Sequence, residues 1–140
     1  GRDAWANGAG GGFAARTGFE SELLGLLRTL DRHDVRNVVF VTTDVHFAAQ
    51  FRYELDLDGD GDLLLFHEFV SGPLSAIRAP SPPAFDPTLH PVVLYAEGDI
   101  FNFGTIRVGD GSPAVPKLWT DVRDESGQIR EGSKLELTPQ

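Results

Sequence analysis

The sequence predicts an α+β fold in which one helix and one buried strand precede a series of antiparallel strands. Three observations favour this class. One stretch near the start has apolar residues at helical spacing, a short β-branched run follows it, and most of the remaining chain alternates apolar with polar residues between turns. Hydrophobic residues make up 41% of the 140 residues, which is enough for one core of ordinary domain size.

The helix is predicted over residues 17–31. Thr17 and Glu20 have the spacing of a capping box, which satisfies free backbone amides at the start of a helix. Leucines then return every three or four residues and give the segment one apolar face for packing. These are Leu23, Leu26, Leu27 and Leu30.

A strand is predicted over residues 37–43, and we expect it to be buried on both faces. Its centre, Val38-Val39-Phe40-Val41, is a continuous apolar run of the kind found inside parallel sheets. The strand gives way to Thr43-Asp44-Val45-His46. Polar residues just past the carboxyl end of a buried strand are where α/β folds place their chemistry.

Residues 51–70 are predicted to form a hairpin, because Phe51, Tyr53 and Leu55 alternate with charged residues before a Gly/Asp turn. Residues 71–91 are rich in proline and predict a long irregular loop. Such a loop inside a compact domain is usually functional or a cover.

A β-rich tail is predicted over residues 92–137. Its candidate strands are 92–95, 101–108 and 115–122, followed by a turn at 124–127 and a last hairpin to residue 137.

Composition excludes several functions. The chain has 21 acidic and 12 basic residues, a net charge of -9, so nucleic acid and anionic membrane surfaces are poor partners. It has no cysteine, which excludes disulfides and thiol catalysis. No apolar run is long enough for a membrane span. The chain also lacks methionine and starts with a glycine-rich stretch, which predicts a proteolytically processed piece of a longer protein.

Asp44 and His46 are the leading candidates for chemistry. A carboxylate and an imidazole two residues apart at a strand end can point into one cleft, and together they suit Zn, Fe or Mn. Two ligands do not close a site, since even a catalytic zinc takes three from protein. The alternative is that Asp44 caps a turn and His46 packs. A hydrolase triad of these two with Ser71 is disfavoured, because no nucleophile elbow is present.

Two further clusters leave alternatives open. Asp56–Asp62 matches the start of an EF-hand loop, but position twelve is His67 and the flanks read as strands, so a hairpin turn with weak Ca²⁺ attraction is favoured. Glu68 follows His67 and could orient a metal-bound histidine. Equally, it could be a solvated strand residue.

Residues 37–46 resemble the late signature of the PhoD-like alkaline phosphatases, members of the calcineurin-like metallophosphoesterase superfamily. That signature is an apolar strand followed by Gly-Asp-Val-His. Three other segments resemble further family motifs in the same order. They are Asp3-x-Trp5, residues 67–75 and residues 100–104.

The resemblance implies the C-terminal portion of a four-layer α/β/β/α sandwich with a dinuclear centre of Fe³⁺ plus Ca²⁺ or Zn²⁺. It implies that Asp44 is a metal ligand and that His46 binds a metal or the phosphate and protonates the leaving group. Trp5 and Asn102 would contact substrate, and Thr43 and Glu68 would support the ligands from behind. Thr43 replaces the family's Gly, which would narrow the approach to the metals.

The family's earlier metal-binding motifs are missing from this chain. The expected partner is therefore an N-terminal chain of the same precursor, in a secreted heterodimer. The expected substrate is a small phosphate ester. The side chain of Thr43 and the long loop over residues 71–91 favour a phosphodiester of glycerophospho or phospholipid type. The alternatives are a phosphomonoesterase, a Ca²⁺-binding module and a purely structural β module.

Overall fold

The structure is a computed structural model, and it describes residues 20–112 and 115–140. It contains one helix and seven strands within these ranges. In chain order they are α1 (Glu20–Arg32), β1 (Val38–Thr42), β2 (Ala48–Leu55), β3 (Leu64–Val70), β4 (Val92–Glu97), β5 (Asn102–Ser112), β6 (Val115–Asp124) and β7 (Leu135–Leu137). The α+β prediction is confirmed in this form, with one helix and two sheets.

The first sheet has the strand order β1-β3-β2-β4. The predicted hairpin is confirmed, since β2 and β3 are antiparallel with Leu55 opposite Leu64. In contrast, β1 runs parallel to β3, with Val38 opposite Phe66 and Thr42 opposite Val70. Because parallel strands end at the same edge of a sheet, the loops that follow β1 and β3 leave the fold side by side.

The core lies between α1 and one face of the first sheet. Leu24 and Leu27 of the helix join Phe51, Tyr53 and Phe66 of the sheet in one buried cluster. The period-two pattern of β2 is the reason, because it places these aromatic rings on one face. Full burial of each such side chain contributes about 1.5–3 kcal/mol, so this layer carries much of the stability. The helix ends one residue beyond its predicted end, and Thr17 lies outside the described residues.

The second sheet has the order β5-β6-β7 and faces the other side of the first sheet. Two cavities lie between the sheets, and each is lined by residues of both. All three strands predicted in the tail are present, each longer than the pattern indicated. The described residues therefore form a helix layer, a sheet and a second sheet, in that order.

Two expectations about strands are wrong. The strand β1 is not buried on both faces, since its residues are half-buried or exposed. Among the described residues it also pairs only with β3 and so forms an edge of the sheet. The side chain of Val41 is 67% exposed. The last hairpin is also interrupted, and only Leu135–Leu137 is regular strand. There the hydroxyl of Ser133 takes the place of a ladder partner, since it accepts from the Val122 amide at 3.0 Å.

Within the described ranges, no helix combines the length and the apolar character that a bilayer crossing requires.

Candidate functional site

The loops after β1 and β3 are joined at the carboxyl edge of the first sheet. The hydroxyl of Thr43 donates to the Ser71 carbonyl at 2.9 Å. The amide of Ser71 donates to the Thr42 carbonyl at 3.3 Å, which continues the parallel pairing by one residue. This edge is where an α/β sheet presents functional side chains, and it is where Asp44 and His46 lie.

Asp44 and His46 occupy a turn with an unusual backbone. Their φ angles are 83° and 62°, in the left-handed region that residues with a side chain seldom adopt. Such a conformation persists only where the surroundings impose it. One restraint is a backbone hydrogen bond, in which the amide of Ala79 donates to the His46 carbonyl at 3.1 Å. The long proline-rich loop therefore holds this turn by its backbone.

The side chains of the same turn are left uncommitted. Asp44 is exposed and His46 is half-buried. Neither the carboxylate nor the imidazole makes a hydrogen bond or an ion pair with another described residue. An oxygen and a nitrogen donor with no competing partner fit the donor set of a Zn, Fe or Mn ion. The interpretation that Asp44 caps a turn has no hydrogen bond to support it among the described residues.

Glu68 is buried beneath this edge, so its interpretation as a solvated strand residue is wrong. It is 3% exposed. One carboxylate oxygen accepts from the Thr42 hydroxyl at 2.9 Å, and the other accepts from the Tyr53 hydroxyl at 2.7 Å. A buried carboxylate is stable only when it is hydrogen-bonded in this way. Glu68 therefore fixes the last residue of β1, directly before the turn that carries Asp44.

Asn102 is fully buried, with 0% exposure. Its amide nitrogen donates to the Gly72 carbonyl at 2.7 Å, and its amide oxygen accepts from the Gly72 amide at 2.8 Å. Its own backbone amide donates to the Pro73 carbonyl at 2.9 Å. Both ends of the side chain thus hold the loop after β3. A direct contact of Asn102 with substrate stays a prediction. The hydrogen bonds show that Asn102 positions the loop after β3.

Gly98 allows the proline-rich loop to reach the site, and no sequence pattern indicated this role. A Cβ at this position would lie 2.0 Å from the Ser81 amide nitrogen and 2.6 Å from the Ala79 carbonyl oxygen. The proline-rich loop therefore passes directly over the end of β4, where a side chain does not fit. The amide of Asp99 donates to the same Ala79 carbonyl at 2.8 Å. Only a position without a side chain allows the loop to reach His46 along this path.

His67 faces the gap between the sheets instead of the site. It is 8% exposed and lines the larger intersheet cavity. Burial lowers the pKa of His67, and the positive charge of Arg52, its partner across the β2–β3 pair, lowers it further. The imidazole is therefore held neutral, and it has a packing role against Phe69, whose ring centre is 6.1 Å away.

The aspartate-rich turn is confirmed as the connection of a hairpin. Oxygens of Asp56, Asp58 and Asp60 lie within 4.8 Å of one another. Much of that set is used locally, since the Asp56 carboxylate accepts from the amides of Gly59 at 2.6 Å and Gly61 at 3.2 Å. The aspartates are therefore explained structurally, because their carboxylates accept hydrogen bonds that stabilise the turn.

The structure brings Thr43, Asp44 and His46 together on one turn, with Glu68 and Asn102 behind it. Trp5 lies outside the described residues. No third imidazole or carboxylate joins Asp44 and His46 in a metal-sized group within residues 20–112 and 115–140. The described part of the chain therefore brings two possible donor side chains together at this turn, Asp44 and His46.

The model of one protein family, the PhoD-like phosphatases, matches residues 2–99, which is well over half of the chain. The matched stretch includes the turn with Asp44 and His46 and ends just before Asn102. Comparison with curated proteins finds no match, and comparison with solved structures finds none.

Proposed function

This chain belongs to the PhoD-like phosphatase family, and from this premise we propose that Asp44 and His46 are its metal ligands in a phosphoester hydrolase. The family supports a phosphoesterase-type function. The observation that carries the assignment to these two residues is the turn itself. Its backbone is held by Thr43, through Ser71, and by Ala79, while its two donor side chains have no partner among the described residues.

The residues fit the metals that the family implies. A carboxylate oxygen is a hard ligand suited to Fe³⁺ or Ca²⁺, and an imidazole suits Fe and Zn. A bound metal pair supplies Lewis-acid polarisation of the phosphate ester and activation of water. The other ligands come, in this proposal, from an N-terminal segment of the same precursor, because two donors are too few for such a centre.

The chain's own residues have separate roles in this proposal. Asp44 holds a metal through its carboxylate. His46 binds a metal or a phosphate oxygen, and its imidazole can donate a proton to the leaving-group oxygen. Glu68 and Asn102 keep the two strand ends in place. The hydroxyl of Thr43 is bonded to Ser71. In this proposal the Thr43 side chain narrows the approach to the metals, because a smaller residue would leave more room for the substrate.

We propose a phosphodiester of glycerophospho or phospholipid type as substrate. The loop that bonds His46 through Ala79 also carries two apolar side chains in solvent, Leu74 at 69% exposure and Ile77 at 77%. Exposed apolar groups on a loop that is bonded to this turn suit the apolar part of a substrate. The alternative, a phosphomonoester, leaves these two side chains without a role.

The test uses the protein isolated in its native assembly with its metals. Elemental analysis is expected to find iron with calcium or zinc. The variants Asp44→Asn and His46→Gln are expected to lower kcat/KM on bis(nitrophenyl) phosphate by more than about 100-fold, since even residues behind metal ligands cost 10–100-fold. Glu22→Gln changes an exposed carboxylate on α1 in the same way and is expected to change neither metal content nor rate.

Each outcome decides between the candidate functions. Unchanged hydrolysis and metal content in Asp44→Asn would contradict the assignment and favour a structural module. Faster hydrolysis of nitrophenyl phosphate than of the diester would favour a monoesterase.

The aspartate-rich turn supports a second candidate, Ca²⁺ binding at Asp56, Asp58 and Asp60, whose oxygens are mutually close. Calcium titration tests it. Micromolar binding that Asp58→Ala and Asp60→Ala abolish would favour this candidate, and no binding would remove it.

A further inference from the structure

Arg78 lies next to the turn that carries Asp44 and His46. The residue after it, Ala79, donates its amide to the His46 carbonyl at 3.1 Å. The carbonyl of Ala79 accepts in turn from the Asp99 amide at 2.8 Å. The Cα atoms of Arg78 and Ala79 are about 3.8 Å apart, since the two residues are neighbours in the chain. The backbone of Arg78 is therefore fixed beside the candidate site.

The guanidinium of Arg78 lies over the ring of Phe101, with its central carbon 5.2 Å from the ring centre. Phe101 is itself held in place, because the next residue, Asn102, bonds Gly72 through both ends of its side chain. A cation over an aromatic face is attracted by the quadrupole of the ring. The side chain of Arg78 is thus anchored at a defined place, although the residue is exposed.

The N–H groups of this guanidinium are free. Arg78 makes no hydrogen bond and no ion pair with another residue in the part of the chain that the structure describes. In contrast, Arg36, Arg123 and Arg130 are each paired with a carboxylate. Stacking uses the flat face of a guanidinium and leaves the N–H groups at its edge, which bind the oxygens of a phosphate in pairs. The fold therefore positions an arginine beside the turn and leaves its binding edge unused.

We propose that Arg78 binds an anionic oxygen of the phosphate ester that Asp44 and His46 engage. The inference rests on the proposed function and adds to it a residue that recognises the charge of the substrate. A phosphate that approaches this turn meets the carboxylate of Asp44 on a chain whose net charge is -9. A guanidinium fixed at the same place offsets this repulsion and offers two parallel N–H groups to the phosphate.

The neighbours of Arg78 suit the ester proposed above. Ile77 directly precedes it and is 77% exposed. This short segment therefore presents an apolar side chain next to a cation. A phospholipid-type ester has an apolar part next to an anionic phosphate. Inorganic phosphate has only the anionic part, so its binding isolates the contribution of Arg78.

Binding of inorganic phosphate tests the inference without requiring turnover. The protein is purified in its native assembly with its metals, and calorimetry gives the Kd of phosphate. Arg78→Gln is expected to raise this Kd, and the KM for bis(nitrophenyl) phosphate, by about tenfold or more, because charged hydrogen bonds to the phosphate are lost. Arg78→Lys keeps the charge but not the paired N–H groups, so a smaller rise is expected. Phe101→Leu removes the stacking face and is expected to raise the Kd about two- to fivefold.

Arg107 provides the matched control, since its guanidinium also lies over an aromatic ring, that of Trp119, at 4.3 Å from the ring centre. Ile106 and Val108 on either side of it line the cavities between the sheets. The alternation of β5 therefore directs Arg107 to the opposite face. Arg107→Gln removes the same charge and is expected to leave the Kd, the KM and the metal content unchanged.

A phosphate Kd and a KM that Arg78→Gln leaves unchanged would overturn the inference, as would absence of phosphate binding to the native protein. An equal loss in Arg107→Gln would also overturn it, because the effect would then come from overall charge. A fall in metal content and kcat at an unchanged Kd would assign Arg78 a purely structural role instead.

The proposed function is judged separately by Asp44→Asn. Unchanged hydrolysis in that variant, together with weaker phosphate binding in Arg78→Gln, would contradict the function alone. Loss of hydrolysis in Asp44→Asn, together with unchanged phosphate binding in Arg78→Gln, would contradict the role of Arg78 alone.

Discussion

Replacing Gly98 with alanine is expected to be strongly destabilising. The new Cβ would lie 2.0 Å from the Ser81 amide nitrogen and 2.5 Å from the Pro80 carbonyl carbon. Both are backbone atoms of a proline-rich loop, so relief requires the loop to move. Overpacking of this kind costs about 1–3 kcal/mol.

The movement also breaks hydrogen bonds that the structure shows. The loop is held by the bond from the Ala79 amide to His46 and by the bond from the Asp99 amide to Ala79. Two backbone bonds contribute about 0.5–1.5 kcal/mol each. Together with the overpacking, the free energy of unfolding is expected to fall by about 2–6 kcal/mol. For a chain of this size, Tm falls by about 3–5 °C for each kcal/mol.

The matched control is Gly25→Ala in the middle of α1. Nothing lies within 4 Å of a Cβ there, and the residue is exposed. Because glycine lowers helix stability relative to alanine, this variant is expected to gain about 0.5–1 kcal/mol. Urea unfolding of both variants measures the two opposite signs, and hydrogen exchange at the amides of Ala79 and Asp99 locates the loss. A Gly98→Ala variant that loses less than about 0.5 kcal/mol, with both amides still protected, would refute the reasoning.

Two further predictions concern the face of the first sheet that lies between the sheets. His67 has a lowered pKa, chiefly through burial, so below about pH 6.5 the unfolded chain binds a proton that the folded chain resists. The free energy of unfolding is therefore expected to fall toward acid by up to about 1.4 kcal/mol per pH unit. Urea unfolding from pH 7 to 5 measures this dependence, and His67→Gln is expected to remove it. Gln50 is 1% exposed, and neither polar atom of its side-chain amide has a hydrogen-bond partner among the described residues. Gln50→Met is therefore expected to raise the free energy of unfolding by about 1–2 kcal/mol at an unchanged urea m-value. A loss of stability would mean that the native amide is hydrogen-bonded in solution.

The local elements of this fold follow from sequence pattern. The leucine spacing predicts α1, because a helix buries one face every three or four residues. The alternation from Phe51 to Leu55 predicts β2 in the same way. The return strand before Leu135 could not be predicted, since its pairing is replaced by the Ser133 hydroxyl, and a single serine gives no periodic signal.

In the candidate site, too, the sequence predicts one part and not the other. Asp44 and His46 can be found from sequence, because a polar pair directly after an apolar strand is a local signal. The contacts that hold them cannot be found in this way. Asn102 bonds Gly72 thirty residues away, and the Thr43 hydroxyl bonds Ser71 across two strands. These pairings depend on register and loop path, which no window of sequence contains.

The wrong expectation for β1 carries information of its own. An apolar run such as Val38–Val41 is typical of a strand that is covered on both faces and paired on both sides. Within the described residues β1 has one paired side, and Val41 is 67% exposed. An edge strand that functions uncovered usually carries charge or proline, which prevents unwanted pairing, and β1 carries neither. The strand β1 thus combines the composition of a covered strand with an edge position, and the mismatch is concentrated at Val41, the one member of Val38–Thr42 that is exposed.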